Sequence, residues 1–252
     1  MSALEGKRAW VTGAGSGIGR AIALALAREG AHLTLSGRRR VALEETRTAV
    51  EAIAGSAEVA PLDATDDAAV ATTAEAILAR EGRIDILVNN AGGNVRERHF
   101  ADLTPAVWAR LVAVNLNAAY YCAAAVLPAM RAQGDGLIVN VASWAGRYHS
   151  YVSGPAYGAA KHGMVALNAS LNMEEGVHGI RATAICPGEV ATPILDARPE
   201  PVSADERARM LQPPDIAAAV VFVAALPAHV CVNEILISPT WNRAYVGREG
   251  RL

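Results

Sequence analysis

Tyr157 and Lys161 stand one helical turn apart in Tyr-Gly-Ala-Ala-Lys, with Ser143 upstream of them. A phenol is a poor proton donor or acceptor near pH 7 because its pKa is about 10. An ammonium beside it favours the phenolate and lowers that value. Residues four apart on a helix share a face, so this spacing can build a tyrosine acid/base. The bare pattern also occurs on solvated helices. Its meaning depends on the elements that hold it.

A second constellation lies at the other end of the chain. Thr12–Gly19 reads Thr-Gly-Ala-Gly-Ser-Gly-Ile-Gly and runs from a strand into a helix. Gly13, Gly15, Gly17 and Gly19, with Ser16 and Ile18 between them, allow a tight turn and close approach of backbone to a pyrophosphate. The helix start then supplies free N–H groups and a partial positive charge. That placement points to a dinucleotide. The second strand ends Ser36-Gly37-Arg38-Arg39. NAD-preferring sites carry an Asp or Glu about 20 residues past the glycines for the ribose 2′-hydroxyl. Here no carboxylate repels a 2′-phosphate, and Arg38, with Arg39 beside it, can form charge-assisted bonds to one. The expected cofactor is NADP(H) in preference to NAD(H). Asp63 either accepts from the adenine amino group or caps the helix that follows it. Asn89-Asn90-Ala91-Gly92 follows the fourth strand, where open α/β sheets bind ligands.

Short apolar runs alternate with longer helical patterns, which predicts a parallel sheet covered on both faces. Strands are expected at Arg8–Thr12, His32–Ser36, Ala57–Leu62, Ile84–Val88, Gly136–Val141, Arg181–Cys186 and Glu234–Ile237. Helices are expected at Gly17–Glu29, Val41–Ala54, Asp67–Arg80, Pro105–Leu111, Val112–Ala132, Ala156–Val177 and Pro214–Leu226. Seven strands with right-handed crossovers make an α/β, doubly wound Rossmann sheet. No linker divides the 252 residues, so residues 1–252 are expected to form one domain. Its hydrophobic fraction of 52% suffices for a core, and its net charge of −2 argues against a nucleic-acid partner. No apolar run reaches the length of a membrane span and no secretory signal opens the chain. A cytoplasmic protein with no membrane partner is the expectation. Cys122, Cys186 and Cys231 lack metal-like spacing and read as buried thiols, and no metal is expected. The stretches Val112–Ala132 and Ala156–Val177 are apolar on nearly every side. A helix of that kind must be covered all round, which predicts a homo-oligomer, dimer or tetramer.

With these segments in order, the chain resembles the short-chain dehydrogenase/reductase family from end to end. Thr12–Gly19, Asn89–Gly92, Ser143, and Tyr157 with Lys161 match its ordered motifs. The resemblance implies a catalytic role for Asn115, in Val114-Asn115-Leu116, as holder of a water in a proton relay to Lys161. It also implies cofactor contacts from Asn90, Tyr157 and Lys161, and from the segment Pro187, Gly188, Val190 and Thr192, with Thr192 on the carboxamide side. One departure matters. Ser143 and Tyr157 are fourteen residues apart, one more than is usual in the family, so a pocket loop carries an extra residue.

The implied reaction is hydride transfer between the nicotinamide and a small-molecule carbonyl or alcohol, with Ser143 and Tyr157 contacting the substrate. An isomerase or dehydratase on the same fold and a non-catalytic nucleotide-binding scaffold are the alternatives. Arg96 and Arg98 in 93–99 hint at an anionic substrate, whereas Arg147 can equally serve a subunit salt bridge. Trp144 and Tyr151 either line an apolar pocket or pack the loop. Residues 189–212 are expected to cover the site as a lid. The tail 240–252, with Trp241 and Tyr245, folds over a site or forms a loosely held terminus.

Overall fold

The seven strands are parallel and lie in the order β3-β2-β1-β4-β5-β6-β7 in a computed structural model that describes residues 2–243. They are β1 (Arg8–Thr12), β2 (His32–Gly37), β3 (Ser56–Pro61), β4 (Ile86–Asn89), β5 (Gly136–Val141), β6 (Ile180–Pro187) and β7 (Glu234–Ile237). The order reverses between β1 and β4, whose register pairs Ala9 with Ile86 and Val11 with Val88. Such a reversal opens a crevice at the carboxyl ends of the two strands. The sequence's doubly wound sheet is therefore present, with strand ends displaced by at most two residues.

Alternation along the strands assigns the two faces. Ala9 and Val11 point into the cluster formed with Ile22 and Leu26 of α1 (Gly17–Arg28) and Val220 of α8 (Pro213–Ala224). Trp10 points the other way, into a cluster with Ile77 of α3 (Asp67–Glu81) and Val126 of α5 (Ala118–Gln133). α2 (Arg40–Glu51) joins the first layer through Leu43 and Val50, and α6 (Pro155–Glu175) joins the second through Leu171.

Three expectations need correction. The break expected after Leu111 is absent. α4 (Pro105–Val112) continues through a π-helical turn, Ala113–Asn117, directly into α5. The resulting helix, Pro105–Gln133, has mean hydropathy 1.5 and is long and apolar enough to cross a membrane by length and composition. The expectation fails because it divided the stretch after Leu111, although residues 111–130 carry no charged side chain between Arg110 and Arg131; here one side of the helix lies against the sheet layer. Cys122 and Cys186 are buried, but Cys231 is exposed because it falls in the connection before β7 rather than in an element. The 189–212 segment, expected as a lid, has structure of its own. It holds a 3-10 turn, Pro193–Ala197, and a short helix α7 (Ala204–Arg209) started by a Ser203/Glu206 capping box. A bridge between Val190 and Leu211 closes the segment at its neck.

Candidate active site

The glycine turn is built so that nothing larger fits. Gly13 and Gly17 have φ of +64° and +53°, the left-handed region that glycine adopts without strain. A Cβ on Gly19 would overlap the Gly13 carbonyl oxygen and Asn90 Nδ2. Asn90 pins the turn: Nδ2 donates to Thr12 O at 3.0 Å and Gly13 O at 3.3 Å, and its N–H donates to Thr12 Oγ1 at 3.0 Å. Its side-chain amide is thus occupied by the polypeptide. Ser16 precedes α1 without making a side-chain cap, so the first-turn N–H groups are open to an anion. These features fit a dinucleotide pyrophosphate. Arg39 reaches across the same turn, with Nη2 3.4 Å from Ser16 Oγ.

Asp63 is not the cap that one reading of the sequence allowed. Its carboxylate accepts from Thr65 N at 3.0 Å and Thr65 Oγ1 at 2.8 Å. These bonds hold its pKa below the usual carboxylate range, with the Arg38 charge a smaller contribution. Asp66 caps α3 instead, through Ala69 N at 3.0 Å. Across the crevice, a Cβ on Gly17 would lie 3.3 Å from Thr192 Cγ2, so the segment after β6 meets the glycine turn. Gly188 N donates to Ile237 O at 2.7 Å, which anchors the start of that segment between β6 and β7.

Asn115 lies in the π turn, fully buried. Its Nδ2 donates to Leu111 O at 2.9 Å and Gly93 O at 2.8 Å, and its Oδ1 accepts from Gly93 N at 3.1 Å. A π turn widens the helix by one residue and frees a backbone carbonyl for such partners. Gly92 is what brings the groups together: a Cβ there would sit 2.9 Å from Asn115 Oδ1 and 3.6 Å from Lys161 Nζ.

Pro155 opens α6 at its first position, where its missing N–H costs nothing. Tyr157 follows in the first turn, and Lys161 one turn on. Lys161 Nζ donates to Val141 O at 2.8 Å and stands 5.7 Å from the centre of the Tyr157 ring. Ser143, two residues past the end of β5, caps a 3-10 turn, Trp144–Gly146, its Oγ accepting from Ala145 N at 3.1 Å. Between Ser143 and Tyr157 the chain forms a second 3-10 turn, Tyr151–Ser153, followed by Gly154 at φ +72°.

The electrostatics differ from the sequence expectation. Burial pushes the Tyr157 phenol above its ordinary pKa, and the Ser143 hydroxyl and the Arg98 charge oppose that rise. Burial also lowers Lys161 to about 8. The ammonium was expected to be the group that makes the phenol acidic. In the polypeptide itself it lies towards the ring and is weakened by the same burial.

Several pocket-loop residues have found partners within the chain. Arg147 pairs with Glu234 at 3.0 Å, so its salt bridge is internal. Tyr151 is 84% exposed and stacks on His99 at 4.3 Å, while Trp144 stacks on Tyr148 at 4.6 Å. Glu189, directly after Gly188, accepts from Arg198 at 2.7 Å and from Arg243 at 2.6 Å, and Arg243 also reaches Glu206 of α7 at 2.6 Å. These ion pairs were not expected from the sequence. The alternation of Glu and Arg through the segment was the available signal. A cavity of about 140 Å³ opens beside this network, between Glu189, α7 and Trp241, but none of Ser143, Tyr157 or Lys161 lines it. Tyr245 lies outside the described residues. Among the described residues no cluster of three His, Cys, Asp or Glu side chains is set to hold a metal ion.

A glycine turn opening onto a helix N-terminus, with a Ser, Tyr and Lys cluster at the same end of the sheet, defines a nucleotide-binding oxidoreductase. Residues 7–202 match the family model for short chain dehydrogenases, and the chain belongs to this short-chain dehydrogenase/reductase family. It is an oxidoreductase of CH–OH and C=O groups, in a family that uses NAD(H) or NADP(H). The chain is 34% identical over 237 residues to the 2-keto-3-deoxy-L-fuconate dehydrogenase of Xanthomonas campestris, covering 88% of this chain and 75% of that one. It is 36% identical over 228 residues to the levodione reductase of Leifsonia aquatica, covering 84% and 85% of the two chains. A metagenomic short-chain oxidoreductase solved in complex with NADP superposes with TM-score 0.83 at 34% identity, over 96% of this chain and all of that one.

Proposed function

We propose that the protein, as a single domain over 1–252, transfers hydride between NADP(H) and a carbonyl or alcohol carbon of a small molecule. Tyr157 is the proton donor or acceptor. The observation that carries this reading is the meeting of Ser143, Asn115, Tyr157 and Lys161 at the carboxyl edge of β4 and β5, beside the glycine cradle. When bound, the dinucleotide supplies or accepts the hydride. Tyr157 passes a proton to the forming alkoxide, or takes one from the alcohol in the reverse direction. Ser143 donates to the substrate oxygen as negative charge builds on it. Lys161, whose pKa burial lowers to about 8, passes a proton on and restores that of Tyr157. Asn115 fixes Gly93 and the wall beside Lys161, and so supports the relay.

Preference for NADP(H) is supported by Arg38 and Arg39 at the end of β2, where Gly37 stands in place of a carboxylate. The NADP complex of the metagenomic relative is in keeping with it. The relatives named for a keto-deoxy sugar acid and for levodione support a small carbonyl or alcohol substrate. The 189–212 segment, closed at its neck by Val190 and Leu211, acts as the substrate cover. Tyr120 on α5 and Met173 on α6 are 55% and 74% exposed, which supports a homo-oligomer, dimer or tetramer, assembled through these helices.

Tyr157→Phe tests the central assignment. Turnover of an aldehyde, ketone and alcohol panel should fall by about a hundred- to ten-thousandfold, while NADPH binding followed by fluorescence stays within a few-fold. A variant that keeps its kcat would refute it.

A further inference from the structure

Arg98, in the connection after β4, is 3% exposed. Its Nε donates to Val95 O at 2.6 Å, its Nη1 to Val152 O at 2.9 Å, and its Nη2 to Ala197 O. Val152 belongs to the 3-10 turn before α6, and Ala197 ends the 3-10 turn after β6. Short helical turns leave carbonyls unpaired near their ends, and one planar guanidinium collects one from each. It thereby ties the loop after β4 to the segment entering Tyr157 and to the base of the 189–212 segment. Gly154 makes this approach feasible. A Cβ there would overlap Arg98 O and stand 2.9 Å from Arg98 Cβ.

Among the described residues no carboxylate lies within ion-pair distance of this guanidinium. The charged and titratable groups that act on it are Arg198, which is engaged by Glu189 at 2.7 Å, the exposed Glu97, and Tyr157. Those that face Tyr157 are Ser143, Arg98 and Lys161. An arginine buried without a counter-ion is costly, and carbonyl dipoles offset that cost only in part. A tie between three loops does not by itself require a full positive charge.

We propose that Arg98 is a positioning residue for the proton transfer: through Val152 O and Gly154 it fixes the segment that leads into Tyr157, and it brings to that segment a guanidinium with no carboxylate among the described residues at ion-pair distance. The proposal rests on Tyr157 being the acid/base. Arg98 and Ser143 are the groups that counter the burial of the phenol. The second cation of the site therefore comes from a pocket loop rather than from α6.

The test is a titration of phenolate absorbance in NADP⁺-loaded protein. The Tyr157 signal is isolated by difference against Tyr157→Phe made in each Arg98 background. Arg98→Gln removes the charge and should raise the Tyr157 midpoint by about one pH unit. Arg98→Lys keeps the charge, loses the planar fork, and should return the midpoint to the wild-type value with a lower melting temperature. An unshifted midpoint in Arg98→Gln overturns the proposal. So does an equal shift in both variants, which would make geometry rather than charge responsible. If Arg98→Gln does not fold, Arg98→Met, which removes the charge and keeps the apolar stem, takes its place: a raised midpoint supports the proposal and an unshifted one overturns it. Because the titration needs no turnover, its failure is separable from that of the acid/base reading, which only retained activity in Tyr157→Phe would remove.

Discussion

Replacing Lys161 with Met should make the protein inactive and more stable at neutral pH. Lys161 is 3% exposed, and burial lowers its pKa from 10.5 to about 8. The fold therefore disfavours its ammonium by roughly 2.5 pH units, which at about 1.4 kcal/mol per unit amounts to about 3 kcal/mol. The unfolded chain holds this proton up to about 10.5 and the folded chain releases it near 8. Between those values the unfolded state binds more protons, so stability rises with pH there. The penalty is complete below about pH 8 and relieved by about 10.5. Met keeps the apolar stem and removes the charge, but leaves Val141 O without the donor it has at 2.8 Å. That loss costs about 1–2 kcal/mol. The net gain is about 1–2 kcal/mol at pH 7, or a rise of roughly 2–6 °C in apparent Tm for a chain of this length. Differential scanning calorimetry of both proteins between pH 6.5 and 10 would measure it, with those bounds chosen as about the window of the linkage. The gain should shrink and reverse towards the alkaline end. A variant that melts below wild type at pH 7, or by the same margin at every pH, refutes the reasoning.

Arg38→Ala should lower the ratio of NADP⁺ to NAD⁺ affinity roughly ten- to hundredfold, the worth of one charge-assisted bond; an unchanged ratio in paired binding titrations would remove the basis for NADP preference. Gly19→Ala should abolish cofactor binding measured by NADPH fluorescence, because its methyl would overlap the Gly13 carbonyl and Asn90; near-normal affinity would mean that the turn can open. Asp85 is 3% exposed beneath the sheet and accepts from Arg8 N at 2.8 Å and Arg83 at 2.5 Å, with Lys7 at 3.3 Å. Burial pushes its carboxyl up, but the Arg8 amide, Arg83 and Lys7 outweigh that and hold it below the usual range. Its stabilising effect is thus present above about pH 4 and lost as pH falls further. Asp85→Ala should cost about 2–3 kcal/mol in urea unfolding at pH 7, with a smaller difference at acid pH; a cost that did not change with pH would contradict this.

The parts of the molecule that were legible in its sequence are those governed by local requirements. Gly13, Gly17 and Gly19 answer to the backbone of one turn, and the strand runs answer to burial on both faces of a parallel sheet. What was not legible depends on which partner a side chain finds across the fold. Nothing in the apolar pattern of 105–133 distinguishes an α from a π turn; the difference is made by Asn115 bonding Gly93 from another connection. Likewise an arginine in a pocket loop reads as a ligand contact, yet Arg98 is turned onto backbone carbonyls of two distant turns. The same distinction explains the tyrosine. Four-residue spacing puts Lys161 beside Tyr157 on one helix face, but spacing says nothing about desolvation, and burial acts on both groups at once. Burial raises the phenol, and among the described residues the cation that opposes this rise is Arg98, which stands outside the helix.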